Sequence, residues 1–194
     1  MTLFEIYIFA GRNFTPMFTT SVIAPFLRNV RLQPNETCLS IGDHKYTNAA
    51  FIQYISPIIN ELDAIPQSSF LLLMEEDVQS YAALFAGMLS GKLVVPVSVH
   101  WTDQMVSRVR QEVATDAFFC RERMQYFFRM TVEDAICRID NGLYQFPDEH
   151  PMVRCFGFLP DGSLQDRLFT AGDVCQIKPA HPIRFHQYFT EIIA

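Results

Sequence analysis

Three groups of residues in this sequence have side chains that could take part in chemistry. The first is His100-Trp101, which directly follows the apolar run LVVPVSV. If that run is a buried parallel strand, the pair lies at its carboxyl end, where open α/β sheets bind ligands. His100 and Trp101 are therefore the ligand-side candidates, although a tryptophan at this point is more often a packed anchor for the loop.

The second group is the acidic run Glu75-Glu76-Asp77. Three neighbouring carboxylates could bind a metal ion, because oxygen ligands suit hard cations. The run also lies where the next helix is expected to begin, and acids there are stabilised by the positive end of the helix. We interpret these residues as helix-start acids and assign no metal ligand to them.

The third group is a set of histidines and cysteines in the C-terminal third of the chain: His150, His181, His186, Cys155 and Cys175. A thiol and an imidazole can form a nucleophile and base pair when the fold brings them together. No local motif marks such a pair here, so we assign no catalytic residue. The five cysteines are widely spaced and never form a CxxC motif, which favours reduced thiols in a cytoplasmic protein.

Composition narrows the possible classes of function. The chain has 194 residues, 49% of them hydrophobic and 19% charged, which is typical of one globular domain with a sizeable core. A net charge of −6 argues against nucleic acid as a partner, and Arg121, Arg123 and Arg129 are the nearest approach to a basic patch. The sequence has no uncharged apolar run of the roughly 20 residues that a membrane helix needs.

The elements that must position these residues follow a repeating order. TCLSIGDHKYT predicts a β-hairpin, and Thr47 is placed to cap a helix whose pattern continues to residue 65. Pro57 falls inside that helix and predicts a kink or a break into two pieces. Further along, apolar runs near 69–74, 93–99 and 117–120 alternate with helical patterns near 78–89 and 102–114. This order predicts an α/β fold, a mostly parallel sheet with helices on both faces.

The junction SGKLVVPV, at residues 90–97, joins a predicted helix to a predicted buried strand. Gly91 suits the left-handed position that ends a helix, and Lys92 suits the negative end of that helix. Pro96 has no N–H to give to a neighbouring strand. It can be accommodated if the strand is short, if it lies at an edge, or if no neighbour needs that donor.

The chain after residue 120 is less regular. RERMQYFFRMTVEDAICRI is helical in parts, and VRCFGFL, a Pro-Asp-Gly turn and SLQDRLFTA suit a second hairpin. We therefore divide the chain into an α/β subdomain, residues 1–120, and an α+β continuation packed on it, residues 121–194.

Several of these features together resemble a known family. Tyr46-Thr47 ends the hairpin, Ser90-Gly91-Lys92 ends a helix, Val95-Pro96-Val97 lies in the next strand, and TDQMVSRVRQEVATDAFF follows. This ordered set resembles the N-terminal part of the adenylate-forming superfamily, which contains acyl- and aryl-CoA synthetases and amino-acid-adenylating enzymes. The likeness covers residues 28–120, roughly half of the chain.

The resemblance implies a reaction as well as a fold. In that family a carboxylate attacks the α-phosphate of ATP, pyrophosphate leaves, and the acyl group then passes to a thiol. ATP and Mg²⁺ are thus implied for a full-length parent, an AMP-forming ligase of the acid–thiol or acyl-carrier type.

The Ser/Thr/Gly-rich loop ending in Pro-Lys-Gly that holds the phosphates in the family is absent from this sequence. We therefore expect an N-terminal fragment or truncated relative of such a ligase, inactive alone. Its partner would be the rest of a longer ligase chain or another protein, and homo-oligomers stay open. The alternative is a non-catalytic interaction protein that reuses the scaffold.

Overall fold

The computed structural model describes residues 24–124, 131–140 and 146–175. Helices and strands alternate along most of this length. In chain order they are α1 (Ala24–Leu32), β1 (Thr37–Ile41), β2 (His44–Thr47), α2 (Asn48–Ala64), β3 (Ser69–Met74), α3 (Val78–Leu89), β4 (Leu93–Ser98), α4 (Asp103–Val113), β5 (Phe118–Phe119), α5 (Arg121–Met124), α6 (Val132–Asp140), β6 (Pro151–Phe158), β7 (Leu164–Thr170) and α7 (Ala171–Cys175).

The first hairpin and its capping residue are confirmed. β1 and β2 pair antiparallel, and the hydroxyl of Thr47 accepts a hydrogen bond from the N–H of Ala50 at 3.1 Å. Of the two outcomes predicted at Pro57, the break does not occur, because α2 runs unbroken from Asn48 to Ala64. The kink stays a prediction. Burial of its apolar face against the core, with Ile55 fully buried, stabilises the helix despite the missing donor.

Five strands form one sheet in the order β5-β3-β4-β6-β7. β3 pairs in parallel with β4 along its whole length and with β5 on its other side, while β6 is parallel to β4. Only β7 runs antiparallel, as the second strand of a hairpin with β6. The predicted mostly parallel sheet is confirmed.

Helices cover both faces of this sheet, as predicted. On one face α2 and α3 pack over Phe70, Leu72 and Val94 in the larger of two apolar clusters. On the other face α4 packs over Leu71, Val95 and Val97. The contact of α3 with the sheet is so close that a Cβ added at Gly87 would overlap Val94 and Phe70.

The α3–β4 junction is a Schellman motif, as Gly91 predicts. Gly91 has φ +64°, its N–H donates to the carbonyl of Met88, and the N–H of Lys92 donates to the carbonyl of Gly87. The ammonium group of Lys92, however, lies at a different helix. It donates to the carbonyls of Ile65 and Gln67, at 3.0 and 2.7 Å, where the chain leaves α2.

Pro96 lies in an interior strand, so neither an edge position nor a short strand accounts for it. The N–H of Leu93 donates to the carbonyl of Ser68, which places the backbone groups of Leu93 toward β3. Backbone groups alternate in direction along a strand, so those of Val94 and Pro96 are directed toward β6. In the described residues the β4–β6 register is the single pair Val94–Val153. Pro96 comes after that pair, so no register pair needs the N–H that proline lacks.

The continuation after residue 121 contributes to the same sheet through β6 and β7. It also contacts the α3–β4 junction. His150 Nε2 lies 3.0 Å from the carbonyl oxygen of Gly91, and its ring stacks on that of Phe146 with centroids 4.6 Å apart. The domain boundary near residue 121 stays a prediction.

Across the described ranges, no helix is long and apolar enough to cross a bilayer.

Candidate functional site

The carboxyl edge of the sheet is the candidate site, and its topology singles out the ends of β3 and β4. The chain leaves β3 to form α3 on one face and leaves β4 to form α4 on the other. Ligands in open α/β sheets bind where two adjacent strands have connections to opposite faces. Met74 and Ser98 are paired at this point, so the segments that follow them lie side by side.

His100 and Trp101 occupy this edge, but they differ in their surroundings. The backbone N–H of His100 donates to the hydroxyl of Ser98 at 3.2 Å, and His100 is exposed. Trp101 is half-buried, and its ring meets Phe158 edge to face with centroids 5.3 Å apart. Trp101 therefore anchors the loop on β6, and His100 is the member of the pair that a ligand could contact.

The acidic run across the crevice has a structural use that accounts for Asp77. The Asp77 carboxylate accepts the N–H of Ser80 at 2.8 Å and caps α3. Ser80, which sequence reasoning missed, is fully buried. Its hydroxyl accepts the N–H of Glu75 and lies 3.3 Å from the carbonyl oxygen of Leu73, where it can donate. No local motif marks Ser80, because a capping box has Glu or Gln three residues after the cap.

Glu75 has a second acidic neighbour that the sequence does not reveal. Burial raises the pKa of the Glu75 carboxyl, and the charges of Asp77 and of Glu122, which follows β5, raise it further, while Arg121 lowers it. These acids nevertheless do not form a metal site. Within residues 24–124, 131–140 and 146–175, no three His, Cys, Asp or Glu side chains are placed to hold a metal ion.

The loop after β6, residues 159–163, is at the same edge, beside the end of β4. Its backbone donors are used within the turn: Leu159 N–H donates to Ser163, Gly162 N–H to Leu159, and Ser163 N–H to the Asp161 carboxylate. Pro160 has no N–H. A phosphate cradle needs several free N–H groups directed at one point, and this turn instead presents the carboxylate of Asp161. The loop does not fit the phosphates of ATP.

Arg108 on α4 contacts the β6–β7 hairpin, and no pattern in the sequence indicates this contact. Arg108 Nη1 on α4 donates to the carbonyl of Gly162 at 2.7 Å, and its guanidinium lies 5.4 Å from the centroid of the Phe158 ring. A helix residue and a turn residue that are 54 positions apart in sequence meet here. Only the assembled fold places them together.

The cysteine–histidine pair that the sequence left open is not seen between His150 and Cys155. His150 is hydrogen-bonded to Gly91, as above, and burial raises the pKa of the Cys155 thiol to about 12. A thiol with that pKa stays protonated at neutral pH and is a poor nucleophile. His181 and His186 lie outside the described residues, as does the side chain of Cys175.

Comparison with known proteins gives matches in structure alone. No family model and no curated protein matches this sequence. Among solved structures, the adenylation domain AlmE of Vibrio cholerae, in complex with glycyl-adenosine-5'-phosphate, superposes with a TM-score of 0.62 over 83% of this chain at 12% identity. The chain has the fold of the N-terminal part of an adenylation domain.

Two further structures with this adenylation-domain fold agree. The N-terminal subdomain of Klebsiella oxytoca NpsA matches with a TM-score of 0.59 over 78% of this chain at 15% identity. The inhibitor-bound N-terminal domain of Mycobacterium tuberculosis FACL13 matches with a TM-score of 0.58 over 78% of this chain at 12% identity. The matches cover 37% of the AlmE chain, 42% of the NpsA chain and 44% of the FACL13 chain.

Proposed function

We propose that this chain forms the N-terminal part of an ATP-dependent ligase that activates a carboxylic acid as its adenylate. The observation that carries this proposal is the match of 83% of the chain to an adenylation domain with a TM-score of 0.62. The ordered sequence features that resemble the adenylate-forming superfamily also support the proposal. They are a separate line of support, because the match in fold is found at only 12% identity.

In this proposal the chain is structural. It supplies the sheet β5-β3-β4-β6-β7 and one wall on the acyl-binding side, and His100 lies at the carboxyl edge that a ligand would approach. Activation of a carboxylic acid by ATP places negative charge on phosphate oxygens, which needs donors and a cation around them. The closed turn at residues 159–163 offers neither. In this proposal ATP and Mg²⁺ would be held by the rest of a longer ligase chain.

The first test is ATP–pyrophosphate exchange with a panel of aliphatic, aromatic and amino acids. The isolated chain is expected to give no exchange above a no-enzyme blank. A known adenylating enzyme assayed beside it shows that the panel and the assay work. Robust exchange by this chain alone, abolished by excess unlabelled pyrophosphate, would contradict the proposal that the chain has only a structural role.

The second test separates this proposal from the non-catalytic interaction protein. Sequencing of the gene beyond the codon for Ala194 is expected to reveal a continuing or adjacent frame with a Ser/Thr/Gly-rich loop ending in Pro-Lys-Gly. A polypeptide or complex that includes that frame is then expected to catalyse exchange. A stop codon with no such frame nearby, together with an inactive chain, would favour the interaction protein.

A further inference from the structure

Within the described part of the chain, β5 and β7 are the two edge strands of the sheet, and β5 is closed to a further strand. β5 has only two residues. The N–H of Leu71 donates to the carbonyl of Ala117, so the backbone groups of the next residue, Phe118, are directed away from β3. Arg123 donates to that outward carbonyl of Phe118 at 3.0 Å. A short strand whose acceptor is taken by a charged side chain is a protected edge.

β7 is an edge of seven residues, and its backbone groups alternate between β6 and the outside. At one end of the β6–β7 ladder the N–H of Leu159 donates to the carbonyl of Ser163. At the other end the N–H of Ala171 donates to the carbonyl of His150. Ser163, Ala171 and every second residue between them therefore face β6. The residues whose backbone groups are directed outward, with no register partner in the described ranges, are Leu164, Asp166 and Leu168.

The side chains of these three residues lie on the face of the sheet that α4 covers. Leu164 packs on the apolar cluster under α4, and Asp166 accepts a hydrogen bond from Arg154 at 2.6 Å. Leu168 is paired with Arg154 in the register, yet it is 46% exposed. The outer edge of β7 thus presents an apolar, an acidic and an apolar side chain in turn, and its end at Leu168 is uncovered.

The chain after α7 carries a matching series. Residues 183–189 read IRFHQYF, and an extended strand places on one face Phe185, Gln187 and Phe189. An antiparallel register that pairs Phe185 with Leu168 matches the two series throughout, as Phe–Leu, Gln–Asp and Phe–Leu. Cross-strand pairs of these types stabilise a sheet. A second β7 fits less well, because the register that pairs its whole length opposes Arg167 to Arg167, and opposed like charges are destabilising.

The position of α7 sets the direction of such a strand. The N–H groups of Ala171 and Gly172 each donate, at 2.9 Å, to a carbonyl in the segment before β6. α7 therefore begins at the edge of the sheet where β6 starts and β7 ends. A strand antiparallel to β7 starts at this same edge, whereas a parallel one requires the chain to return first along β7, over about 20 Å.

We propose that residues 183–189 pair antiparallel with the outer edge of β7 as a sixth strand of the sheet. The pairing supplies partners for the outward backbone groups of β7 and covers Leu168. Because the added strand is antiparallel to β7, it runs parallel to β4, and the chain after Phe189 leaves the sheet at the carboxyl edge, on the side of the candidate site. The proposal follows from this chain alone and does not depend on the ligase function.

Hydrogen exchange of single amides in the full chain, followed by NMR, tests the pairing. The outward amides of Asp166 and Leu168 should exchange within roughly tenfold of the rate of Arg167, whose N–H faces β6. In Phe185→Asn the two outward amides should exchange at least about tenfold faster, since the strand loses the burial of one aromatic side chain. The Arg167 amide should keep its rate, which distinguishes loss of the added strand from global unfolding.

His186→Asn is the matched control, because residue 186 lies on the other face of the same segment. It should leave the outward amides within about twofold of their rate in the unmodified chain. If Phe185→Asn also speeds exchange at Arg167, Phe189→Asn, at the far end of the segment, takes its place. Three results would overturn the proposal: outward amides that exchange freely in the unmodified chain, slow exchange that survives both phenylalanine substitutions, or slow exchange lost on dilution, which indicates a second copy.

Discussion

The α3–β4 junction allows a substitution whose cost can be divided into two parts. Gly91 has φ +64°, and a Cβ at this position would overlap the ring of Phe146. Gly42, in the β1–β2 turn, has a similar φ of +57°, but a Cβ there would meet nothing within 4 Å. Gly42→Ala therefore measures backbone strain alone, and Gly91→Ala measures the same strain plus the clash with Phe146.

The two magnitudes follow from these environments. A left-handed backbone costs an alanine about 1–2 kcal/mol, so Gly42→Ala should lower the free energy of unfolding by that amount. At Gly91 the ring of Phe146 must also move away, which disturbs its stacking on His150. Overpacking of this kind costs about 1–3 kcal/mol more, so Gly91→Ala should be destabilising by about 2–5 kcal/mol in total.

Urea unfolding followed by far-ultraviolet circular dichroism gives both values under one condition. With a slope of about 1–3 kcal/mol per molar urea, a difference of 1–3 kcal/mol separates the two midpoints by about 1 M. The double variant Gly91→Ala with Phe146→Ala should recover part of the difference, since the ring that clashes is gone. Equal midpoints for Gly42→Ala and Gly91→Ala would refute the packing of residue 146 against this junction.

Three further predictions concern other single groups. Lys92→Met should lower the free energy of unfolding by about 1.5–3 kcal/mol in the same urea assay, because two carbonyls lose a charged donor. Lys45, which is exposed, provides the control. A loss no larger in Lys92→Met than in Lys45→Met would contradict the prediction. Asp77→Ala should cost about 1 kcal/mol through the lost cap of α3, whereas exposed Asp103→Ala should cost less. Burial raises the pKa of the Cys38 thiol from 9.0 to about 12. As pH rises above 9 the unfolded chain therefore loses this proton while the folded chain keeps it, so the free energy of unfolding should fall. Urea midpoints that do not fall between about pH 8 and 10 would contradict this prediction.

Much of the fold could be predicted from short-range patterns. The hairpin, the cap at Thr47 and the alternation of helices and strands all depend on residues a few positions apart. The break at Pro57, one of the two outcomes predicted there, does not occur, because local propensity takes no account of the core that surrounds α2. The position of His100 and Trp101 at the carboxyl end of a strand could be predicted because both directly follow β4 in the chain.

The candidate site could be predicted only in part. His100-Trp101 was found because it follows a strand, but the separation of roles between the two side chains depends on Phe158, which is far along the chain. Glu122 affects the pKa of Glu75 only because β5 lies beside β3 in the sheet. Arg108 gave no signal at all, since one arginine on a polar helix face resembles any other.

By itself, then, the sequence determined the elements, their order and the turns that join them, because hydrogen bonds in caps and turns are made between near neighbours. Tertiary structure alone decided that Lys92 donates hydrogen bonds at the end of α2 and that Pro96 lies in an interior strand. It also decided that Arg108 donates a hydrogen bond to the carbonyl of Gly162. Each of these contacts joins segments that are distant in sequence. Their energies depend on burial and distance, which exist only once the sheet has formed.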